Sequence, residues 1–214
     1  MMQVKICGLT TIEAIDAVNK FGADMAGFVF VEKSPRFIGL EKAAELMDAL
    51  DPEIKKVGLF VNPSDDDLNE VLSVLDLDII QLHGNEERQR VGEIYDMTEI
   101  PIIKAININE EEDIFLAHQY DDVADYILFD APQIGEQMGG TGHRFNWNWL
   151  QDMELEKPWI LAGGLTPQNI FNAVRMTGAQ IVDVSSGVEA SKGIKDSDKI
   201  ADFINEAHRA AYDA

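Results

Sequence analysis

Apolar strand-like runs and amphipathic helical segments alternate eight times along this chain, and few architectures accommodate that rhythm. The strands read over residues 3–7, Met25 to Val31, Lys56 to Val61, Asp78 to Leu82, Pro101 to Ala105, Asp125 to Phe129, Trp159 to Ala162 and Gln180 to Val184. Helical spacing fills the intervals: residues 11–21, Leu40 to Leu50, Ser64 to Leu75, Glu86 to Tyr95, Glu110 to Gln119, Trp147 to Met153, Pro167 to Met176 and Asp196 to Tyr212. Such alternation builds parallel βαβ units. Eight of them in 214 residues fit a closed (β/α)8 barrel better than an open doubly wound sheet. No Gly-x-Gly-x-x-Gly follows the first strand, which weakens a dinucleotide-binding reading. No linker or composition break marks a second domain, so residues 1–214 read as one domain.

Charge narrows the partners. Thirty-nine acidic residues face 17 basic ones, a formal −22. That field repels nucleic acid and anionic membranes, and no apolar run approaches the length of a bilayer span. The expected partner is a small molecule and the expected state a monomer or homodimer. The first strand begins at once, leaving no room for a signal peptide, and the expected compartment is the cytoplasm. One cysteine excludes an internal disulfide framework, and with four histidines no structural zinc site is expected. Acidic runs such as Asp65-Asp66-Asp67 and Glu110-Glu111-Glu112-Asp113 read as solvated surface. Adaptation to high salt, where screening relieves self-repulsion, is one hypothesis for their abundance.

Barrels of this kind place their chemistry at the C-terminal ends of the strands. Those positions hold Cys7, Gln81, His83, Lys104, Asp130, Gly163, Gly164, Asp183, Ser185 and Ser186. Gly163-Gly164 after the seventh strand and Ser185-Ser186-Gly187 after the eighth leave backbone N–H groups open to an anion, the usual phosphate position in barrels. Tight turns alone would use the same residues. In the first strand, period-2 alternation puts Lys5 and Cys7 on one face, and in the eighth Asp183 and Ser185 share a face. Closure of the barrel then predicts a buried Lys5–Asp183 ion pair. Lys5 is expected to favour the Cys7 thiolate, with Asp183 partly cancelling it. A lone buried cysteine is otherwise simply a small hydrophobe.

A wider set of motifs runs nearly end to end. It comprises Lys5-Ile6-Cys7-Gly8-Leu9-Thr10, Gly27-Phe28-Val29-Phe30, Lys33-Ser34-Pro35-Arg36, Val57-Gly58-Leu59-Phe60-Val61-Asn62 and Gln81-Leu82-His83-Gly84. It continues with Gly139-Gly140-Thr141-Gly142, Phe145 and Trp147, Leu161-Ala162-Gly163-Gly164-Leu165, and Asp183-Val184-Ser185-Ser186-Gly187-Val188-Glu189. In this order the set resembles the phosphoribosylanthranilate isomerases of tryptophan biosynthesis. Ala131 and Asn146 stand where that family frequently has Ser and Asp.

The resemblance implies an Amadori rearrangement of N-(5'-phosphoribosyl)anthranilate without cofactor or metal. It assigns Asp130 as general acid at the furanose oxygen and Cys7 as general base at C2′. Arg36 would take the anthranilate carboxylate, although without the family match it reads as a solvated loop residue. Gln81 and His83 would line the pocket, and Lys104 falls outside the catalytic set. The phosphate would sit on Gly163, Gly164, Ser185, Ser186 and Gly187, with Gly142 of the loop after Asp130 closing over it. A histidine-pathway sugar isomerase would carry aspartate where Cys7 stands. Indole-glycerol-phosphate synthase would need a lysine-centred site and a longer N-terminus. A silent phosphosugar-binding barrel would have no need to keep Cys7, Asp130 and Arg36 together.

Overall fold

The computed structural model describes residues 2–132, 144–151, 153 and 155–212. Eight parallel strands close into a barrel in chain order: β1 Gln3–Cys7, β2 Met25–Val29, β3 Lys55–Phe60, β4 Ile79–Leu82, β5 Ile102–Asn107, β6 Tyr126–Asp130, β7 Trp159–Leu161 and β8 Ile181–Val184. β8 returns to β1 with Lys5 opposite Asp183 and Ile6 opposite Val184. The expected (β/α)8 architecture is therefore present.

Side-chain alternation divides the core in two. Met25, Val57, Ile79, Ile103, Leu128, Ile160 and Ile181 fill the barrel interior. Val4, Ile6, Ala26, Phe28, Ile80, Leu82 and Phe129 point outward into the helical layer. That layer includes α1 Ile12–Phe21, α2 Leu40–Asp48, α3 Asp65–Leu72, α4 Arg88–Thr98, α5 Ile170–Thr177 and α6 Ser197–Tyr212. Local signals explain their starts. The Thr11 side chain accepts from the Ala14 N–H, and Ser64 with Asp67 forms a reciprocal capping box.

Two of the eight expected α-helices are something else. Glu111–Tyr120 and Trp147–Leu150 are 3-10 segments. In the first, Ile114 and Ala117 are the buried residues, three apart, and a 3-10 turn serves that spacing without the wider apolar stripe of an α-helix. A third 3-10 turn, Ser186–Val188, leads into an unanticipated hairpin of β9 Glu189–Ser191 and β10 Ile194–Lys195. No helix among the described residues is long and apolar enough to cross a membrane.

Candidate active site

The mouth of the barrel holds a cavity lined by Cys7, Gln81, His83, Asp130, Asp183, Ser185 and, from the loop after β2, Arg36. A larger cleft of about 780 Å³ lies beside it, lined by Arg88, Lys104 and Tyr120 among others. Its lysine is already committed. Lys104 Nζ lies 2.9 Å from Glu86 Oε2 and donates to the carbonyls of Gly84 and Ala105. All three of these contacts tie Lys104 to Glu86 and to the backbone of neighbouring strand ends.

Cys7 ends β1 with its thiol inside the barrel. Across the strand pair stands Gly27, where a Cβ would lie 2.9 Å from Sγ, so the missing side chain makes room for the sulfur. One step down, Lys5 Nζ donates to Asp183 Oδ1 at 2.9 Å, the ion pair expected from barrel closure. Lys5 and Asp183 act on the thiol in the expected directions, but the net shift is upward rather than downward. Burial pushes the Cys7 thiol up, and Lys5 only partly pulls it back; Asp183 adds to the rise, while Lys195 opposes it. The sequence identifies the cation but not the depth of burial, and burial wins. Lys5 itself is held above the ordinary lysine range: burial works against its charge, but Asp183 and Cys7 outweigh it.

Asp130 ends β6 on the far side of the ring from Cys7, three strand steps away through β7 and β8. One carboxylate oxygen accepts from the Ala131 N–H at 2.8 Å. The other sits 3.1 Å from His83 Nε2, and His83 Nδ1 is 2.8 Å from Gln81 Nε2. A Gln81 amide donating to Nδ1 would go with a ring proton on Nε2, facing Asp130. His83 and Gln81 are thus joined to the acid in a chain of hydrogen bonds, beyond lining the pocket.

Arg36 is no solvated loop residue. It is buried, and its Nε and Nη2 donate to the two oxygens of Glu189 at 2.7 and 3.1 Å. Glu189 in turn accepts from Lys195 Nζ at 2.9 Å, and Lys195 also donates to the carbonyl and hydroxyl of Ser185. Burial pushes Lys195 below the ordinary lysine range, with Glu189 only partly restoring it. Glu189 lies below the ordinary carboxylate range: burial opposes its charge, but Arg36 and Lys195 together prevail. Reading of the sequence gave neither residue a role. Glu189 was visible at the end of the Asp183–Glu189 motif, whereas Lys195 belongs to the unanticipated hairpin.

The two phosphate-type loops are packed together. Gly163 and Gly164 have φ of 81° and 69°, which glycine adopts without strain. A Cβ on Gly187 would overlap the Leu165 carbonyl, so the loop after β8 rests directly on the loop after β7. Asn169 fastens the latter, donating to the Gly164 carbonyl and accepting from the Thr166 N–H. Gly163, Gly164, Ser185, Ser186 and Gly187 therefore share one rim. Gly142 lies outside the described residues.

The family model for N-(5'-phosphoribosyl)anthranilate (PRA) isomerase matches residues 4–206. The chain belongs to the phosphoribosylanthranilate isomerase family. Among relatives named N-(5'-phosphoribosyl)anthranilate isomerase, that of Paracoccus denitrificans is 46% identical over 208 residues, covering 96% of this chain and 97% of its own. That of Paramagnetospirillum magneticum is 45% identical with the same coverage. The phosphoribosylanthranilate isomerase of Thermotoga maritima superposes with a TM-score of 0.88 at 37% identity, covering 98% of this chain and all of its own. Another phosphoribosylanthranilate isomerase structure matches at TM-score 0.83 and 35% identity over 98% of this chain and 100% of its own. It was solved with reduced 1-(o-carboxyphenylamino)-1-deoxyribulose 5-phosphate.

Proposed function

We propose that the chain, as one catalytic domain acting in the cytoplasm, converts N-(5'-phosphoribosyl)anthranilate into 1-(2-carboxyphenylamino)-1-deoxy-D-ribulose 5-phosphate. The observation that carries this reading is the placement of Cys7 and Asp130 on opposite walls of one cavity, with a phosphate-type rim beside them. Family membership supports it, as does the ligand bound in the related structure. Neither metal nor cofactor is needed for the proton transfers that follow.

Asp130 donates its proton to the furanose oxygen as the C1′–O bond breaks, leaving an iminium cation and an Asp130 carboxylate. The Nε2–H of His83, 3.1 Å away, stabilises that carboxylate. Cys7, as thiolate, removes the C2′ proton. The C–H electron pair becomes the C1′=C2′ bond and neutralises the iminium nitrogen. The enol so formed tautomerises to the aminoketone. Acid and base thus work from two strands on one sugar, each from a fixed barrel position. Backbone N–H groups of Gly164, Ser186 and Gly187, with the Ser185 hydroxyl, take the phosphate, and Gly163 shapes the turn. Arg36 holds the anthranilate carboxylate. The catalytic unit is a monomer or a homodimer and binds no nucleic acid.

The decisive assay follows the fluorescence of phosphoribosylanthranilate after addition of native protein, Cys7→Ala or Asp130→Asn. Native protein is expected to abolish the signal rapidly and both folded variants to leave it. A native protein that leaves the substrate untouched at low and high salt would remove the isomerase assignment.

A further inference from the structure

We infer that Glu189 and Lys195 form a positioning clamp that aims Arg36 and thereby sets a preference for substrates whose ring carries a carboxylate. The inference rests on the reaction proposed above. Its starting point is geometric. A guanidinium has five N–H donors in a plane, and the side-on pair, Nε and Nη2, is already taken by Glu189. Three N–H donors remain, and two of them, one on Nη1 and the second on Nη2, form the end-on edge. That edge matches a carboxylate in two parallel hydrogen bonds.

The arginine is held at its backbone, its stem and its guanidinium. Its stem lies on Gly8, next to the base, where a Cβ would stand 2.6 Å from Arg36 Cδ. Its own N–H donates to the Ser34 hydroxyl at 3.1 Å. The hairpin tip presses on the same loop: a Cβ on Gly193 would overlap the Pro35 carbonyl, and Thr10 Oγ1 donates to the Gly193 carbonyl at 3.0 Å. Lys199 Nζ fixes the Glu189 backbone through its carbonyl at 2.7 Å. An arginine held this firmly loses little further rotamer freedom when substrate arrives.

Lys195 settles the charge. Glu189 alone would cancel Arg36 and leave a polar but neutral edge. With Lys195 sharing Glu189 Oε1, two cations face one carboxylate and the cluster keeps one net positive charge. The neighbouring pair of Lys5 and Asp183 is neutral. In a chain of net charge −22, that surplus meets the anionic ring substituent where it must bind.

The test compares two ligands: reduced 1-(o-carboxyphenylamino)-1-deoxyribulose 5-phosphate and its phenylamino counterpart lacking the carboxylate. Native protein should bind the first at least about tenfold more tightly. Glu189→Gln keeps the side chain's size but offers Arg36 one oxygen instead of two. It should weaken the carboxylated ligand about tenfold and the other less than about twofold. Turnover should follow, with KM raised far more than kcat is lowered. The double variant Glu189→Gln with Lys195→Met removes the buried ammonium along with its partner, so it serves if the single variant unfolds. It should show the same selective loss. Equal weakening of both ligands would make the clamp a mere structural staple and overturn the inference while leaving the isomerase assignment standing. A native protein that binds neither ligand would overturn the site assignment itself, and the clamp with it.

Discussion

Lys5 Nζ donates to Asp183 Oδ1 across the seam where the first and last barrel strands meet, with the lysine side chain fully buried. Removing one partner leaves the other charged and buried. Lys5→Met is therefore expected to lower stability by about 3–5 kcal/mol, measured by urea unfolding. Lys5→Met with Asp183→Leu should recover part of the loss. A single variant within about 0.5 kcal/mol of native would show the pair to be dispensable. The pH dependence follows from the raised lysine. Folded protein binds that proton more tightly than the unfolded chain. Its contribution is fully present below the ordinary lysine value and is lost as pH climbs through the higher folded-state value.

Cys7 is the chain's single cysteine, so the ultraviolet absorbance of the thiolate reports on it alone. Because burial holds the thiol up, thiolate should form above the ordinary thiol range, and kcat/KM should still be rising with pH there. Lys5→Met should move the transition higher and Asp183→Asn lower. A transition below the ordinary range would mean that the cations outweigh burial.

Lys104 and Glu86 test the separation of stability from chemistry. Glu86 also accepts from the Gly84 and Asn62 N–H groups, so it ties the loops after β3 and β4. Lys104→Met strands that carboxylate. About 3 kcal/mol of stability should go, while kcat of the folded fraction is retained. Denaturant titration beside steady-state kinetics decides it. A large fall in kcat with intact fold would move Lys104 into the mechanism.

Gly187→Ala forces a methyl group into the Leu165 carbonyl and parts the two phosphate-type loops. Inhibition by inorganic phosphate should weaken about tenfold, with KM rising in step. Unchanged phosphate inhibition would place the anion elsewhere.

Net charge makes a prediction of its own. The anionic substrate meets a field of like sign, so kcat/KM should rise between about 0.01 M and about 1 M salt, as the screening length falls from about 30 Å to about 3 Å. Unfolding midpoints should rise as well. Midpoints unchanged between low and molar salt would count against adaptation to high salt.

Strand order, closure and the inward face of β1 and β8 were all legible in the sequence, because alternation of Val4 and Ile6 with Lys5 and Cys7 is a local pattern. So was the Lys5–Asp183 pair, which needs only that the ends of the barrel meet. The partner of Arg36 was not legible: both Arg36 and Glu189 lie beyond the ends of their barrel strands, where alternation and strand closure fix no register. The hairpin that supplies Lys195 is too short to show a period, and the 3-10 segment of Glu111–Tyr120 imitates an amphipathic helix by its composition. The thiol's direction of shift was misjudged because it depends on a three-dimensional quantity, the water excluded around Cys7.

The order of synthesis acquires meaning from the seam between β1 and β8. Lys5, Cys7 and Arg36 are synthesised well over a hundred residues before Asp183, Glu189 and Lys195, the groups that complete the ion pairs around them. A nascent chain can pair the early strands as they emerge. It cannot seat Cys7 beside the Lys5–Asp183 pair or aim Arg36 until residues 183–195 have been added. A truncation before residue 183 should therefore leave a barrel fragment in which Lys5 and Arg36 both lack their ionic partners.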